Sequence, residues 1–133
     1  MAQQEKIVRI GGASGFWGDS MVGAPQLVNS GQIDYLVFDY LAETTMAILA
    51  AAHSKKPELG YATDFVDIAM KAVLPEVMRR GIKVVANAGG INPQGCADAL
   101  KALADRLGLA PRIALEQGVS GQRIVDLATA EGH

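Results

Sequence analysis

Tyr35-Leu36-Val37-Phe38-Asp39-Tyr40-Leu41-Ala42-Glu43 carries the sentence from which the fold of this chain is read. Its apolar run is aromatic and β-branched, too short for a helix, and stops at an acid; from Ala42 to Ser54 the pattern is helical. A short strand, a polar turn and a helix is a βα unit. Outward from it the same unit recurs. Ile7-Val8-Arg9-Ile10 is halted by Gly11-Gly12, Lys83-Val84-Val85-Ala86 by Asn87-Ala88-Gly89-Gly90, and Arg112-Ile113-Ala114-Leu115 by Glu116-Gln117-Gly118. Helical patterns fill the intervals at Ser20 to Asn29, Ala42 to Ser54, Asp64 to Arg80 and Gln94 to Leu107, and Gly121 onward reads as the start of another helix. Val66, Ala69, Met70, Val73 and Val77, then Cys96, Leu100, Leu103 and Leu107, fall at three- and four-residue steps, giving both long helices one buried stripe.

Asp64 and Asn92-Pro93 have the composition of helix starts, Gly81 and Gly108 of helix stops, and Pro75 predicts a kink or break inside the longest helix. Strands apolar on both faces and separated by helices predict an α/β fold: a mostly parallel sheet flanked by helices on both faces, as a Rossmann-like open sheet or as part of a barrel. Residues 1–133 read as a single α/β domain, the amino-terminal part of a larger one, because the chain ends inside another βα unit.

Composition narrows the partners. With 133 residues, 50% of them hydrophobic, and a formal net charge of −2, the chain reads as a soluble domain with a proper core. Basic residues cluster no more densely than Arg79-Arg80 or Lys55-Lys56, so a nucleic-acid or anionic-membrane footprint is missing. Cys96 is the sole cysteine, which rules out an intrachain disulfide and suits a reducing cytoplasm. The polar start Met-Ala-Gln-Gln-Glu-Lys followed by a short apolar run lacks the core of a signal peptide.

Parallel α/β sheets bind ligands beyond the carboxyl ends of their strands, so the loops after the strands are the places for chemistry. In Gly11 to Ser20, the glycines Gly12, Gly15 and Gly18 with Ser14, Asp19 and Ser20 form a candidate anion cradle, since backbone N–H groups and a helix start attract phosphate. Ala13-x-Gly15-x-x-Gly18 matches the dinucleotide fingerprint except at its first glycine, and Phe16 and Trp17 crowd it. The plainer reading is a tight turn with Trp17 as an aromatic plug. Asp39 and Glu43, four residues apart across a strand end and a helix start, are candidates for an acid/base pair; the plainer reading is a helix cap and a dipole partner. Asn87 is a candidate donor to a polarised carbonyl or a turn residue, and Glu116 ends a strand beside a glycine turn. No histidine pair or cysteine cluster offers a metal site, and Cys96 belongs to the core.

Four ordered blocks carry a resemblance: Arg9-Ile10-Gly11-Gly12-Ala13-Ser14-Gly15-Phe16-Trp17-Gly18-Asp19-Ser20, Asp34 to Glu43, Gly60-Tyr61-Ala62-Thr63-Asp64-Phe65, and Asn87-Ala88-Gly89-Gly90. Together they resemble the amino-terminal part of the acyclic terpene utilisation protein A family. The resemblance implies a role in breaking down isoprenoid acids such as citronellate and geraniate as coenzyme A thioesters. The step it implies is carbon–carbon lyase cleavage of a 3-hydroxy-3-methylglutaryl-CoA-like thioester releasing acetate. The alternative is a non-catalytic nucleotide- or CoA-binding scaffold subunit. Asp39, Glu43, Asn87 and Glu116 are then the expected catalytic set, and Gly12, Ser14, Gly15, Gly18, Asp19 and Ser20 the expected thioester-binding loop. A homo-oligomer, or a partner chain completing the domain, is expected as well.

Overall fold

The computed structural model describes residues 5–117 and 123–128, with backbone only at 116–117 and 123–128. Its strands are β1 (Ile10–Ser14), β2 (Tyr35–Phe38), β3 (Lys83–Ala86), β4 (Arg112–Gln117) and β5 (Arg123–Ala128), in the sheet order β1-β2-β3-β5-β4. The first three pair in parallel, while β5 is antiparallel to both β3 and β4. Two antiparallel pairings in succession leave β4 running in the direction of β3. Four co-directional strands, as expected, lie in an open sheet, but the first is displaced: it was expected at Ile7–Ile10 and halted by Gly11-Gly12, whereas β1 is Ile10–Ser14, so Gly11, Gly12 and Ser14 lie in the strand and the loop begins at Gly15. Around them lie α1 (Gly23–Ser30), α2 (Glu43–Lys55), α3 (Lys71–Arg80) and α4 (Pro93–Arg106).

The segment after Gly121 was expected to start a helix, and residues 123–128 instead form β5. Ile124, Val125 and Leu127 suit a strand as well as a helix, and the decision belongs to two partner strands, one of them about forty residues away at β3.

The second correction concerns the faces of the sheet. Leu36 and Phe38 in β2, and Val84 and Ala86 in β3, are buried, and they alternate with half-buried Tyr35, Val37, Lys83 and Val85. The buried set shares one cluster with Ala24 and Val28 of α1, Val73, Leu74 and Val77 of α3, and Cys96, Leu100 and Leu103 of α4. These three helices thus cover a single face, where helices on both were expected. On the other face Ile10 is 66% exposed and Gly12 is open, and Lys83 lies over the ring of Tyr35. Helix α2 packs on the loops at the carboxyl ends of the strands: Leu49 lies against Gly90, and His53 bonds the Leu59 carbonyl at 2.8 Å.

Local signals explain most boundaries. Asn92 caps α4, its Oδ1 accepting from the Gly95 N–H at 3.0 Å, with Pro93 in the first turn. Gly81 ends α3 in the left-handed conformation with φ 68°. Asp64 makes no side-chain cap and is itself helical, contrary to expectation. The helix it opens is π-helical over Phe65–Met70 before continuing as α3. Pro75 lies one turn into α3, where it has no N–H for the Lys71 carbonyl, and the wide turn ends directly before that residue. The break expected from Pro75 is thus a change in helix type, upstream of the proline.

Candidate functional site

Parallel pairing brings the ends of β1, β2 and β3 to one rim, and the ladder runs one residue past the strands. The Asp39 N–H donates to the Ser14 carbonyl at 3.0 Å and the Asn87 N–H to the Phe38 carbonyl at 3.3 Å. Ser14, Asp39 and Asn87 consequently lie in a row across three strands. Glu116 lies one residue past Leu115, which is level with Ala86 across β5, so its backbone lies at the same rim, one residue before β4 ends. Two strand spacings, roughly 10 Å, separate it from the Asn87 strand; its side chain lies outside the described residues.

Asn87 joins two of the expected residues. Its Oδ1 accepts from the Tyr40 N–H at 2.7 Å, and its Nδ2 donates to Asp39 Oδ1 at 2.7 Å. A backbone N–H can only donate, so the orientation of the amide is settled: oxygen toward Tyr40, nitrogen toward Asp39. The nitrogen keeps one hydrogen for another acceptor. Asn87 is thus neither an isolated turn residue nor a fully available donor. Glu43 is exposed in the first turn of α2 and makes no side-chain hydrogen bond or ion pair among the described residues.

The glycine loop is held by its own side chains. Asp19 Oδ2 accepts from the Gly15 N–H at 2.8 Å, and Ser20 Oγ accepts from Gly23 at 3.0 Å and from Val22 at 3.3 Å. Ser14 Oγ donates to the Phe16 carbonyl at 2.7 Å. The N–H groups of Gly15, Val22 and Gly23, which an anion entering this loop would seek, are already taken. Trp17 packs against the core while Phe16 is 57% exposed, which fits the aromatic plug. Gly12 faces the open side of the sheet.

On the helix side, the loop meets two residues absent from the expected set. Tyr40 continues the buried row Leu36, Phe38, and it stacks on Phe38 at 5.7 Å and meets Phe65 edge-on at 6.2 Å. It lines a small pocket with Ser14, Asp19, Ser20 and Asp64, whose volume of about 20 Å³ holds one water-sized group. Tyr40 is 5% exposed, yet its hydroxyl has no hydrogen-bond partner among the described residues. Burial first, then the charges of Asp64 and Cys96, push its phenol well above the ordinary value. Alternation already places Tyr40 on the buried side, and a phenol at the end of an apolar row needs a partner for its hydroxyl; that was the available signal. Asp64 was concealed by its resemblance to a helix cap.

A roomier groove of about 510 Å³ between residues 57–61 and the start of α4 contains none of the rim residues. No group of three or more His, Cys, Asp or Glu among the described residues is placed to hold a metal ion. No helix among them is long and apolar enough to cross a membrane.

Cys96 is fully buried in α4, and burial pushes its thiol from 9.0 up to about 12. The unfolded thiol ionises first as pH rises. Its contribution to stability is therefore complete below pH 9.0 and lost on the way to about 12. Tyr40 and Tyr61, also raised by burial, extend the loss to higher pH. The urea midpoint is expected to stay level from pH 7 to 8.5 and to fall above pH 9, more shallowly in Cys96→Val. At pH 8 a disulfide reagent should label Cys96 only after urea is added; rapid labelling of the native chain would contradict this burial.

Comparison with known proteins agrees with the resemblance carried by the four sequence blocks. No curated protein and no solved structure is matched. The family described as acyclic terpene utilisation family protein AtuA is matched over residues 8–132, through every strand and helix above. The chain belongs to the acyclic terpene utilisation family, whose name places its members in the use of acyclic terpenes.

Proposed function

We propose that this chain acts on a branched acyl-CoA in isoprenoid acid catabolism, in carbon–carbon cleavage of a 3-hydroxy-3-methylglutaryl-CoA-like thioester that releases acetate. The observation that supports it is the row of polar groups at the rim, with the hydrogen-bonded pair Asp39–Asn87 at its centre. Cleavage requires a base to take the proton of a tertiary hydroxyl. As that oxygen becomes a carbonyl, the carbon–carbon bond breaks and leaves its electron pair on the departing two-carbon unit as an enolate, which then takes a proton at carbon. Asp39, Glu43 and Asp64 are the carboxylates at this end of the sheet, with Glu116 across β5, and the remaining N–H of Asn87 is a donor for the enolate oxygen. The glycine loop would lie beside the thioester, with Ser14, Asp19 and Ser20 shaping its inner wall.

The small pocket favours a second reading, a non-catalytic nucleotide- or CoA-binding scaffold subunit, because it leaves little room for a reacting group. Calorimetry on the full-length protein with CoA and with a branched 3-hydroxyacyl-CoA separates the possibilities. Binding of the hydroxyacyl thioester below millimolar concentration with acetate release supports the lyase. Equal binding of both without turnover supports the scaffold, and binding of neither at millimolar concentration removes the acyl-CoA assignment.

A further inference from the structure

We propose that the pocket between Ser20, Tyr40 and Asp64 is a hydroxyl subsite: a ligand alcohol there accepts a hydrogen bond from Tyr40 Oη and donates its own to Asp64. Among the carboxylates at the rim this selects Asp64, rather than Asp39 or Glu43, to take the hydroxyl proton. The identification of that alcohol as the tertiary hydroxyl of an acyl thioester rests on the function proposed above; the subsite itself rests on the pocket.

Three features of the pocket define its ligand. Its volume of about 20 Å³ admits one oxygen-sized group and excludes a phosphate or a carboxylate. Its ionisable lining is Asp19, Asp64 and Tyr40, with no lysine or arginine, so an anion would meet repulsion and no compensating charge. Its tyrosine is nineteen-twentieths buried, and its hydroxyl has no hydrogen-bond partner among the described residues while its oxygen is not sealed from solvent, so the donor is open to a ligand or water. Burial and the neighbouring Asp64 keep the phenol protonated, hence a donor. A carboxylate can only accept. A group that accepts from one and donates to the other is a neutral hydroxyl.

The division of labour follows from the chain direction at the end of β2. Tyr40 points to the helix side and its N–H is fixed by Asn87, whose amide nitrogen occupies one oxygen of Asp39. Asp39 thereby becomes a positioning residue for Asn87. In the reaction the alcohol proton passes to Asp64 and the O–H electron pair becomes the carbonyl π bond. The carbon–carbon pair leaves with the departing unit, which takes a proton in turn.

The test uses the full-length protein with a branched 3-hydroxyacyl-CoA and its 3-deoxy analogue. The wild type should prefer the hydroxyl form roughly tenfold, as two hydrogen bonds would give. In Tyr40→Phe and in Asp64→Asn, each of which removes or weakens one of the two bonds, that preference should fall to about threefold while affinity for the deoxy analogue holds, and Asp64→Asn should slow turnover roughly 10²- to 10⁴-fold. Preference that survives both substitutions, or that is lost in Asp39→Asn instead, overturns the proposal. Melting curves check each variant, and Asp64→Asn carries the test if Tyr40→Phe does not fold. A high-resolution crystal structure of the unliganded protein supplies an independent reading: a water should bridge Tyr40 Oη and Asp64, and its absence overturns the subsite. If neither thioester binds, the acyl-CoA function falls, and the bridging water still decides the subsite.

Discussion

Phe65→Ala is expected to destabilise the protein by about 3–5 kcal/mol, the usual range for removing a buried phenylalanine. Phe65 is fully buried and meets Phe38 edge-on at 5.1 Å and Tyr40 at 6.2 Å, so its loss removes the floor beneath the aromatic cluster as well as apolar area. Single domains have roughly 5–15 kcal/mol of stability in all, so the variant should be partly unfolded at 37 °C or melt at least 10 °C lower. Phe16→Ala is the control: that ring is 57% exposed, and about 0.5 kcal/mol or less is expected. Urea titration of both variants checks the pair, and equal midpoints would show that Phe65 does not anchor the core.

Gly90→Ala is the second large effect. Gly90 has φ 56°, and a Cβ there would stand 2.6 Å from the Gly60 carbonyl oxygen and 2.6 Å from Leu49 Cδ1. Leu49 can rotate away. The Gly60 carbonyl cannot move freely, because it accepts from the Ile91 N–H at 3.0 Å. Left-handed strain of about 1–2 kcal/mol therefore adds to a backbone collision, and a total of roughly 2–4 kcal/mol is expected. Gly81→Ala isolates the strain, since Gly81 has φ 68° and nothing within 4 Å of its virtual Cβ. If the two variants lose the same stability, the collision is relieved at no cost. The Gly90 N–H donates to the Asn87 carbonyl at 3.4 Å, so the same substitution should also disturb the Asp39–Asn87 pair.

β2, β3 and the capped start of α4 were legible because each is written locally: a short apolar run ending at Asp39 or Asn87, an Asn-Pro before a helical stripe; β1 was expected three residues early because its own glycines read as a stop. What depended on distant partners was not. The segment Ile124-Val125-Asp126-Leu127 takes its strand form from β4 just before it and from β3, about forty residues away, and the distant pairing has no local mark. Val37 and Val85 are as apolar as buried residues, so the one-sided covering of the sheet had no mark in their side chains. At the rim, Asp39 and Asn87 were singled out separately, and their 2.7 Å bond joins residues forty-eight apart. Tyr40 and Asp64 were passed over because each has an ordinary structural reading when taken alone; their significance lies in the pocket they share.

The π-helical turn at Phe65–Met70 has a consequence for the direction in which Asp64 points. Buried residues recur as Phe65/Val66, Ala69/Met70, Val73/Leu74 and Val77, a spacing of four. An α-helix completes a turn in 3.6 residues, so a four-residue stripe winds about 40° per step and would drift off the sheet over three steps. Slower winding in the first turn lets the stripe stay on the core. It also sets the azimuth of everything before it: winding the same six residues as ordinary α-helix would turn Asp64 by roughly 100° around the axis relative to α3, whereas removing one residue along with the wide turn would leave its azimuth nearly unchanged. A one-residue deletion there should therefore keep the carboxylate facing Tyr40, while tightening the turn without shortening it would turn the carboxylate away. The aim of one side chain is thus encoded jointly in a residue count and a winding rate, and substitution scanning varies neither on purpose.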